Sequence, residues 1–240
     1  MRAWLAPLIL VASPAFAQSA GTAMSDALAE LALQPRFTLQ TVAEETLNGR
    51  PDASFVSIAV DNRPAQGAFR LEVNVHEDGK HVRRIVGDGA WLWDYSPKPN
   101  TYSSVAYGSA EGGLDPKWRQ KLFSRLKLLL DGPSLFTARI VADSFSAQPG
   151  SSWTPWFPTS TLTRDPGGVT AAAQSPYQAR TRYNLRGGLE GAVHEGWPFP
   201  GEYEKFVTSV YPGQLPPDAS FVFVPPKGSR AVAASERQGR

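Results

Sequence analysis

Residues 69–95, FRLEVNVHEDGKHVRRIVGDGAWLWDY, hold three apolar-rich runs separated by two Asp-Gly pairs, Asp78-Gly79 and Asp88-Gly89. An Asp-Gly pair between alternating runs is a strong hairpin signal, because a two-residue turn of this kind needs positive φ at both positions. The first turn then sets Glu77 opposite Lys80, His76 opposite His81, Val75 opposite Val82, Val73 opposite Arg84 and Leu71 opposite Val86. The second sets Val86 opposite Trp91, Arg84 opposite Trp93 and Val82 opposite Tyr95. Side chains alternate between the faces of a strand. One face of this meander therefore carries Leu71, Val73, Val75, Val82, Arg84, Val86, Trp91, Trp93 and Tyr95. The other carries Arg70, Glu72, Asn74, His76, His81, Arg83 and Asp94, with Ile85 and Leu92 as apolar exceptions. A bulge in either hairpin inverts every assignment beyond it.

A one-sided sheet of this kind needs a cover, because so aromatic a face is not left in water. Arg84 on that face either stacks on Trp93, pairs with a carboxylate, meets a polar group of a ligand, or snorkels to water at an edge.

Working outward, Phe37, Leu39, Thr41 and Ala43 alternate as a strand, Asn48 to Asp52 reads as a turn, and Phe55 to Val60 as a second strand. A short helix is expected over Asp26–Leu33, capped by Ser25. Thr101 to Tyr107 follows the meander as a further strand. Asp115-Pro116 then starts a helix running to about Leu130, with Trp118, Leu122, Phe123, Leu126, Leu129 and Leu130 as its apolar stripe. Lys117, Arg119, Lys121, Arg125 and Lys127 make the rest of that helix basic; the charges either lie in water or touch an anionic membrane surface. Asp131-Gly132-Pro133 stops it, and Ser134 caps a second helix, Leu135 to Phe145, with Phe136 and Ile140 inward. Strands are expected at 156–162, 169–173, 179–185, 189–195, 203–210 and 220–224, with Arg186-Gly187-Gly188 as a hairpin tip.

The opening MRAWLAPLILVASPAFAQ joins a basic start, an apolar run and the small-residue site Ala15-Phe16-Ala17. This is the pattern of a secretory signal peptide, cleaved after Ala17 and too short for a permanent membrane span. No cysteine is present among 240 residues, so disulfides, thiolate metal sites and a lipidated N-terminal Cys are excluded. A net charge of +2 does not favour nucleic acid as a partner.

Catalytic constellations are lacking. There is no G-x-S-x-G, no P-loop and no dinucleotide fingerprint. His76 and His81 face each other at the first hairpin, but a zinc site needs a third or fourth ligand, and the polar face supplies no obvious one. No enzyme activity, metal or other cofactor is expected.

Arg63-Pro64, Phe69-Arg70-Leu71 and the run Asp88-Gly89-Ala90-Trp91-Leu92-Trp93-Asp94-Tyr95-Ser96-Pro97 resemble the LolA-like family of periplasmic lipoprotein carriers. The family's pattern is an R-P step, a strand with an F-R pair, then D-G-x-x-L-W-x-Y-x-P. Leu215 to Gly228 is similar to its closing strand, F-x-F-x-P-P-x-G. The likeness runs from about Arg36 to Val232; Ala147 to Gly201 has no residue-by-residue match, and the gap from Arg63-Pro64 to Phe69-Arg70 is about two residues longer than in the pattern.

The resemblance implies an α+β fold, a curved antiparallel half-barrel whose concave face is covered by helices. The implied plan is a signal peptide (1–17), an N-terminal segment with a short helix (18–35), one half-barrel domain (36–232) with a helical lid at about 115–145, and a flexible tail (233–240). It also implies a non-enzymatic, soluble periplasmic carrier for acyl chains or lipoproteins, expected as a monomer. A membrane-bound donor or acceptor protein would be its partner; a sensor or protein-interaction module on the same scaffold is the other role. The ligand-binding set is then Leu71, Val73, Val75, Val82, Arg84, Trp91, Trp93, Tyr95, Trp118, Leu122 and Leu126, with no catalytic or metal-binding residue.

Overall fold

The structure is a computed structural model that describes residues 19–47, 49–63, 69–107, 116–148, 150, 153–156, 160–173 and 178–233, with backbone alone at 47, 116–121, 128 and 219. The expected signal peptide, Asp115 and the tail from residue 234 lie outside the described residues.

The described strands are β1 (Arg36–Leu47), β2 (Arg50–Asp61), β3 (Arg70–Glu77), β4 (Lys80–Gly87), β5 (Trp91–Ser96), β6 (Thr101–Ala106), β7 (Thr161–Asp165), β8 (Gly168–Ala173), β9 (Gln178–Leu185), β10 (Leu189–Trp197), β11 (Tyr203–Pro212) and β12 (Arg230–Ala231). They form one open, curled 12-stranded sheet in the order β12-β6-β5-β4-β3-β2-β1-β11-β10-β9-β8-β7, consistent with a half-barrel. Every pairing is antiparallel except β12 on β6. Two meanders, β1–β6 and β7–β11, join through β1 and β11 at the middle of the sheet.

Three helices, α1 (Ala20–Leu33), α2 (Pro116–Leu129) and α3 (Gly132–Ser146), pack on one face. The alternation read in β1 holds: Phe37, Leu39, Thr41 and Ala43 are all fully buried on that face. Thr41 Oγ1 meets Thr137 Oγ1 of α3 and Thr208 Oγ1 of β11, each at 2.7 Å, and Thr137 donates to the Pro133 carbonyl. This buried hydroxyl chain satisfies its own polar groups and pins α3 over the sheet centre. Phe145 of α3 packs on Phe37 and Phe69. α2 lies against α3 and reaches the sheet side through Phe123, whose ring is 6.0 Å from Phe69.

Several boundaries differ from expectation. α1 starts at Ala20 because Ser19, not Ser25, is its cap, accepting from the Thr22 amide at 3.1 Å. Ser25 is instead buried within the helix. α3 begins at Gly132 with Asp131 as cap residue and Pro133 in its first turn, so Ser134 lies inside it. The strand expected at 156–162 is Thr161–Asp165, and Trp156 belongs to the connection before it.

The segment expected to be a closing strand at 220–224 joins no ladder. Asp218–Phe221 is a short 3-10 turn, and the chain runs on irregularly to Lys227. Pro216, Pro217, Pro225 and Pro226 flank it, and proline has no N–H to give to a sheet. The segment instead straps across the face opposite the helices, called the outer face only to distinguish the two. Thr38 Oγ1 donates to the Gln214 carbonyl, Arg84 to that of Ser220, and Phe223 stacks on Trp93 at 5.3 Å. β12 then pairs with the β6 edge.

Candidate functional site

The register of β3–β5 decides which side chains face the helices. The Asp78-Gly79 turn is as read, with φ of 48° and 73° and with Glu77 opposite Lys80 and His76 opposite His81. A bulge follows at once. Val75 pairs with Arg83, Val73 with Ile85 and Leu71 with Gly87. Two β4 residues, Val82 and Arg83, answer to one on β3, so every residue after Val82 changes sides.

The second connection is also longer than two residues, since Gly87 pairs with Leu92 and Val86 with Trp93. Asp88 builds it: Oδ1 accepts from the amides of Ala90 and Trp91 at 2.9 and 2.8 Å, and Oδ2 from Trp93 Nε1 at 2.9 Å. This shift is by two residues and leaves the sidedness alone; the β4 bulge causes the inversion.

Leu71, Val73, Val75 and Val82 therefore face the helices as expected, in one apolar cluster with Leu122 and Leu126. Arg84, Trp91, Trp93 and Tyr95 do not join them; they lie on the outer face. Arg84 pairs with Glu72 at 2.9 Å, so of the roles open to it the carboxylate partner is the one realised. Trp93 and Tyr95 pack on Phe223 of the strap, and Trp91 is 45% exposed. Ile85 and Leu92, the two exceptions on the supposed polar face, are core residues on the helix side. Arg83 and Asp94 turn inward with them and pair with each other at 3.0 Å. The Trp118 side chain lies outside the described part.

A cavity of about 310 Å³ opens between the helices and the far half of the sheet, lined by Lys127, Gly132, Leu135, Phe136, Arg139, Trp156, His194, Glu204 and Phe206. Its wall is aromatic. Phe136 lies 5.0 Å from Trp156, 5.3 Å from His194 and 5.5 Å from Phe206, and the last two stack on each other. His194 is buried, with Nδ1 2.8 Å from Thr181 Oγ1 and Nε2 3.2 Å from Glu204 Oε1. Asp143 accepts from Arg139 Nε at 2.9 Å and Trp156 Nε1 at 2.7 Å; burial pushes its carboxyl above the ordinary range despite these donors. A second cavity of about 230 Å³ adjoins the first, sharing Lys127, Leu135 and Arg139 and adding Phe123, Ala138, Ala142 and Asp143.

Most of this wall was missed in the sequence, where only Phe136 was placed inward. Of the missing residues, Lys127, Gly132, Leu135 and Arg139 belong to α2 and α3, and Trp156, His194, Glu204 and Phe206 come from the chain after α3, where there is little motif signal. The alternation of Thr181, Tyr183, Ala192, His194, Phe206 and Thr208 across three strands was the available clue.

The histidine pair of the first hairpin has ring centroids 5.0 Å apart, and burial together with the neighbouring His76 lowers the pKa of His81. Among the described residues no three His, Asp or Glu side chains converge as a metal-binding group. No described helix is long and apolar enough to cross a membrane.

No protein-family model matches the chain, and no curated protein matches it significantly. Solved structures similar to it include a LolA superfamily protein from Nitrosomonas europaea, at 13% identity over 85% of this chain and 98% of that one, with a TM-score of 0.40. A DUF1329 family protein from Desulfovibrio piger is 9% identical over 85% and 96%, TM-score 0.42. An uncharacterized conserved protein from Thermus thermophilus is 12% identical over 86% and 94%, TM-score 0.41.

Proposed function

We propose that this chain is a non-enzymatic periplasmic binding protein or carrier for acyl chains of lipids or lipoproteins, held between the helices and the face of the sheet they cover. In this reading that face is the concave one, and a single domain does the work without cofactor, metal or nucleic acid. The observation that carries the proposal is the aromatic-walled cavity of about 310 Å³ between the α2–α3 pair and β10–β11, contiguous with the apolar helix–sheet cluster. Its volume falls within the roughly 300–1,000 Å³ of small-molecule sites. The D-G-x-x-L-W-x-Y resemblance and the signal-like N-terminus support the carrier role and the compartment.

α2 rests mainly on α3, and the two meet at the short Leu130–Asp131 connection, so a shift of α2 would lengthen the cavity over Leu71, Val73, Val75 and Val82. Each methylene moved from water into such a cleft gains about 0.8 kcal/mol, enough over a long chain to outweigh ordering costs.

The test is displacement of a fluorescent acyl probe, beside native mass spectrometry of protein taken from its own periplasm. Saturable binding is expected. Leu135→Trp, which fills the cavity from its rim, should weaken binding about tenfold, whereas Trp93→Ala on the outer face should leave it unchanged. Absence of saturable binding by any acylated ligand would sink the carrier reading.

One observation favours a protein-interaction role on the same scaffold. Val42 and Val207 pair directly across β1 and β11 on the outer face and are 52% and 39% exposed, beyond the part the strap covers. That role moves ahead if no acyl ligand binds.

A further inference from the structure

The rim of the cavity carries charge that the fold itself does not use. Lys127, in the last turn of α2, is exposed, lines both adjoining cavities, and makes no hydrogen bond or ion pair with any described residue. Arg139 lines both as well. Its Nε is engaged by Asp143, and its guanidinium lies over the Trp156 ring at 5.9 Å, but its two terminal nitrogens bond no described residue. Two carboxylates of the lining have partners, Asp143 in Arg139 and Trp156 and Glu204 in His194, while Glu45 stands beside Gly132 with its carboxyl raised by burial and by Glu204. Pro116–Leu129 also contains five basic residues and no acidic one, so the potential along α2 is positive.

Aromatic rings below, with the Lys127 ammonium and the two remaining nitrogens of the Arg139 guanidinium above, make an amphiphilic site. We propose that its ligand is an acylated amphiphile with an anionic head, a carboxylate or a phosphate, held between Lys127 and Arg139 with its chain running inward past Phe136 and Phe206. The inference rests on the acyl-binding reading above and adds the chemistry of the head. Hydrogen bonds from fixed cations to an ionised oxygen are stronger than neutral ones, and a partly enclosed rim weakens their screening by water.

The experiment uses the exported protein and four competitors of matched chain length, below their micelle concentrations: dodecanoate, lauroyl lysophosphatidylglycerol, dodecanol and dodecyltrimethylammonium. At least one anion should outcompete dodecanol about tenfold, and the stronger of the two identifies a carboxylate or a phosphate source. Lys127→Glu should abolish that preference with only a small fall in melting temperature, since Lys127 makes no hydrogen bond or ion pair with a described residue and gives up only its favourable place at the C-terminal end of α2. Equal binding of dodecanol, a preference for the ammonium, or an anion preference that survives both Lys127→Glu and Lys127→Glu/Arg139→Gln would overturn the inference while the acyl reading stands. Failure of all four to bind would overturn that reading as well.

Discussion

The two faces of β3–β5 both carry large apolar side chains beside an ion pair, yet they are covered in different ways. On the helix side, Leu71, Val73, Val75, Ile85 and Leu92 are buried beneath helices inserted mid-chain. On the outer side, Trp93, Tyr95 and Tyr102 receive Phe223 from the chain's own C-terminal segment. Alternation persists in that segment without any ladder: Phe221 and Phe223 are buried, while Val222 and Val224 stand out at 53% and 72% exposure. Apolar side chains therefore signal that a face is covered, not what covers it. The helix-covered face is the one the proposed ligand would need opened; the other is held by a strap bonded at Gln214 and Ser220 and paired at β12.

The sharpest break should come on the helix side at Gly87. A Cβ there would collide with the Tyr107 hydroxyl group and press on Leu71, and both of those side chains are fully buried. Gly87→Val is expected to cost about 4 kcal/mol or more and to yield little folded protein, read by near-ultraviolet circular dichroism and by urea unfolding.

Phe223→Ala tests the strap. Loss of its stack on Trp93 should cost about 3 kcal/mol and speed amide exchange at Arg230 and Val232, which hold the strap's end to β6. Acyl binding should persist, because the helix side is untouched. Parallel loss of binding would show that the two faces are not independent.

Two buried acids sharpen the contrast through pH. Asp61, on the outer face, is pushed up by burial, but hydrogen bonds from Arg63 and Arg70 outweigh this and hold its carboxyl at about 2, below the ordinary 3.8. A lowered folded-state pKa gives stability that is present above the unfolded value and lost as pH falls. Melting temperature should therefore drop between about pH 4 and pH 2, and Asp61→Asn should flatten that limb. Asp143, on the helix side, is raised by burial, with Arg139 and Trp156 only partly offsetting it. Its contribution has the opposite sign: full at low pH and lost as pH rises through its folded-state value. Asp143→Asn should reduce this component of the titration, which Glu45, also raised by burial, shares, and should leave the Asp61 limb in place.

The smallest effect is expected at Trp91, half exposed on the outer face beside Trp93. Trp91→Ala should change stability by less than about 1 kcal/mol and leave acyl binding as it was. A large loss of either would mean that this aromatic belongs to a buried site after all.

Local chemistry carried much of the architecture. The Asp78-Gly79 turn, the Arg186-Gly187-Gly188 tip, the burial pattern of β1 and the stripe of α2 with Leu122 and Leu126 inward were legible because each depends on residues within a few positions of one another. The inward set Leu71, Val73 and Val75 was legible for the same reason.

The exchange of Arg84, Trp93 and Tyr95 for Arg83, Ile85, Leu92 and Asp94 was decided only in three dimensions. One extra residue at Val82 inverts a whole strand, and its energetic reason is distributed over Ile85 and Leu92 reaching the core, Arg84 meeting Glu72, and Trp93 meeting Phe223, which is 130 positions away in the chain. The apolar exceptions Ile85 and Leu92 were the local trace of that choice. The cavity wall likewise gathers side chains from α2, α3, the connection after α3, β10 and β11, so no single stretch of sequence contains it. Periodicity and turn residues settle which segments are strands and helices, because those preferences act over a few bonds. Which face each strand turns inward depends on burial and pairing summed across distant segments, and only the packed fold brings those together.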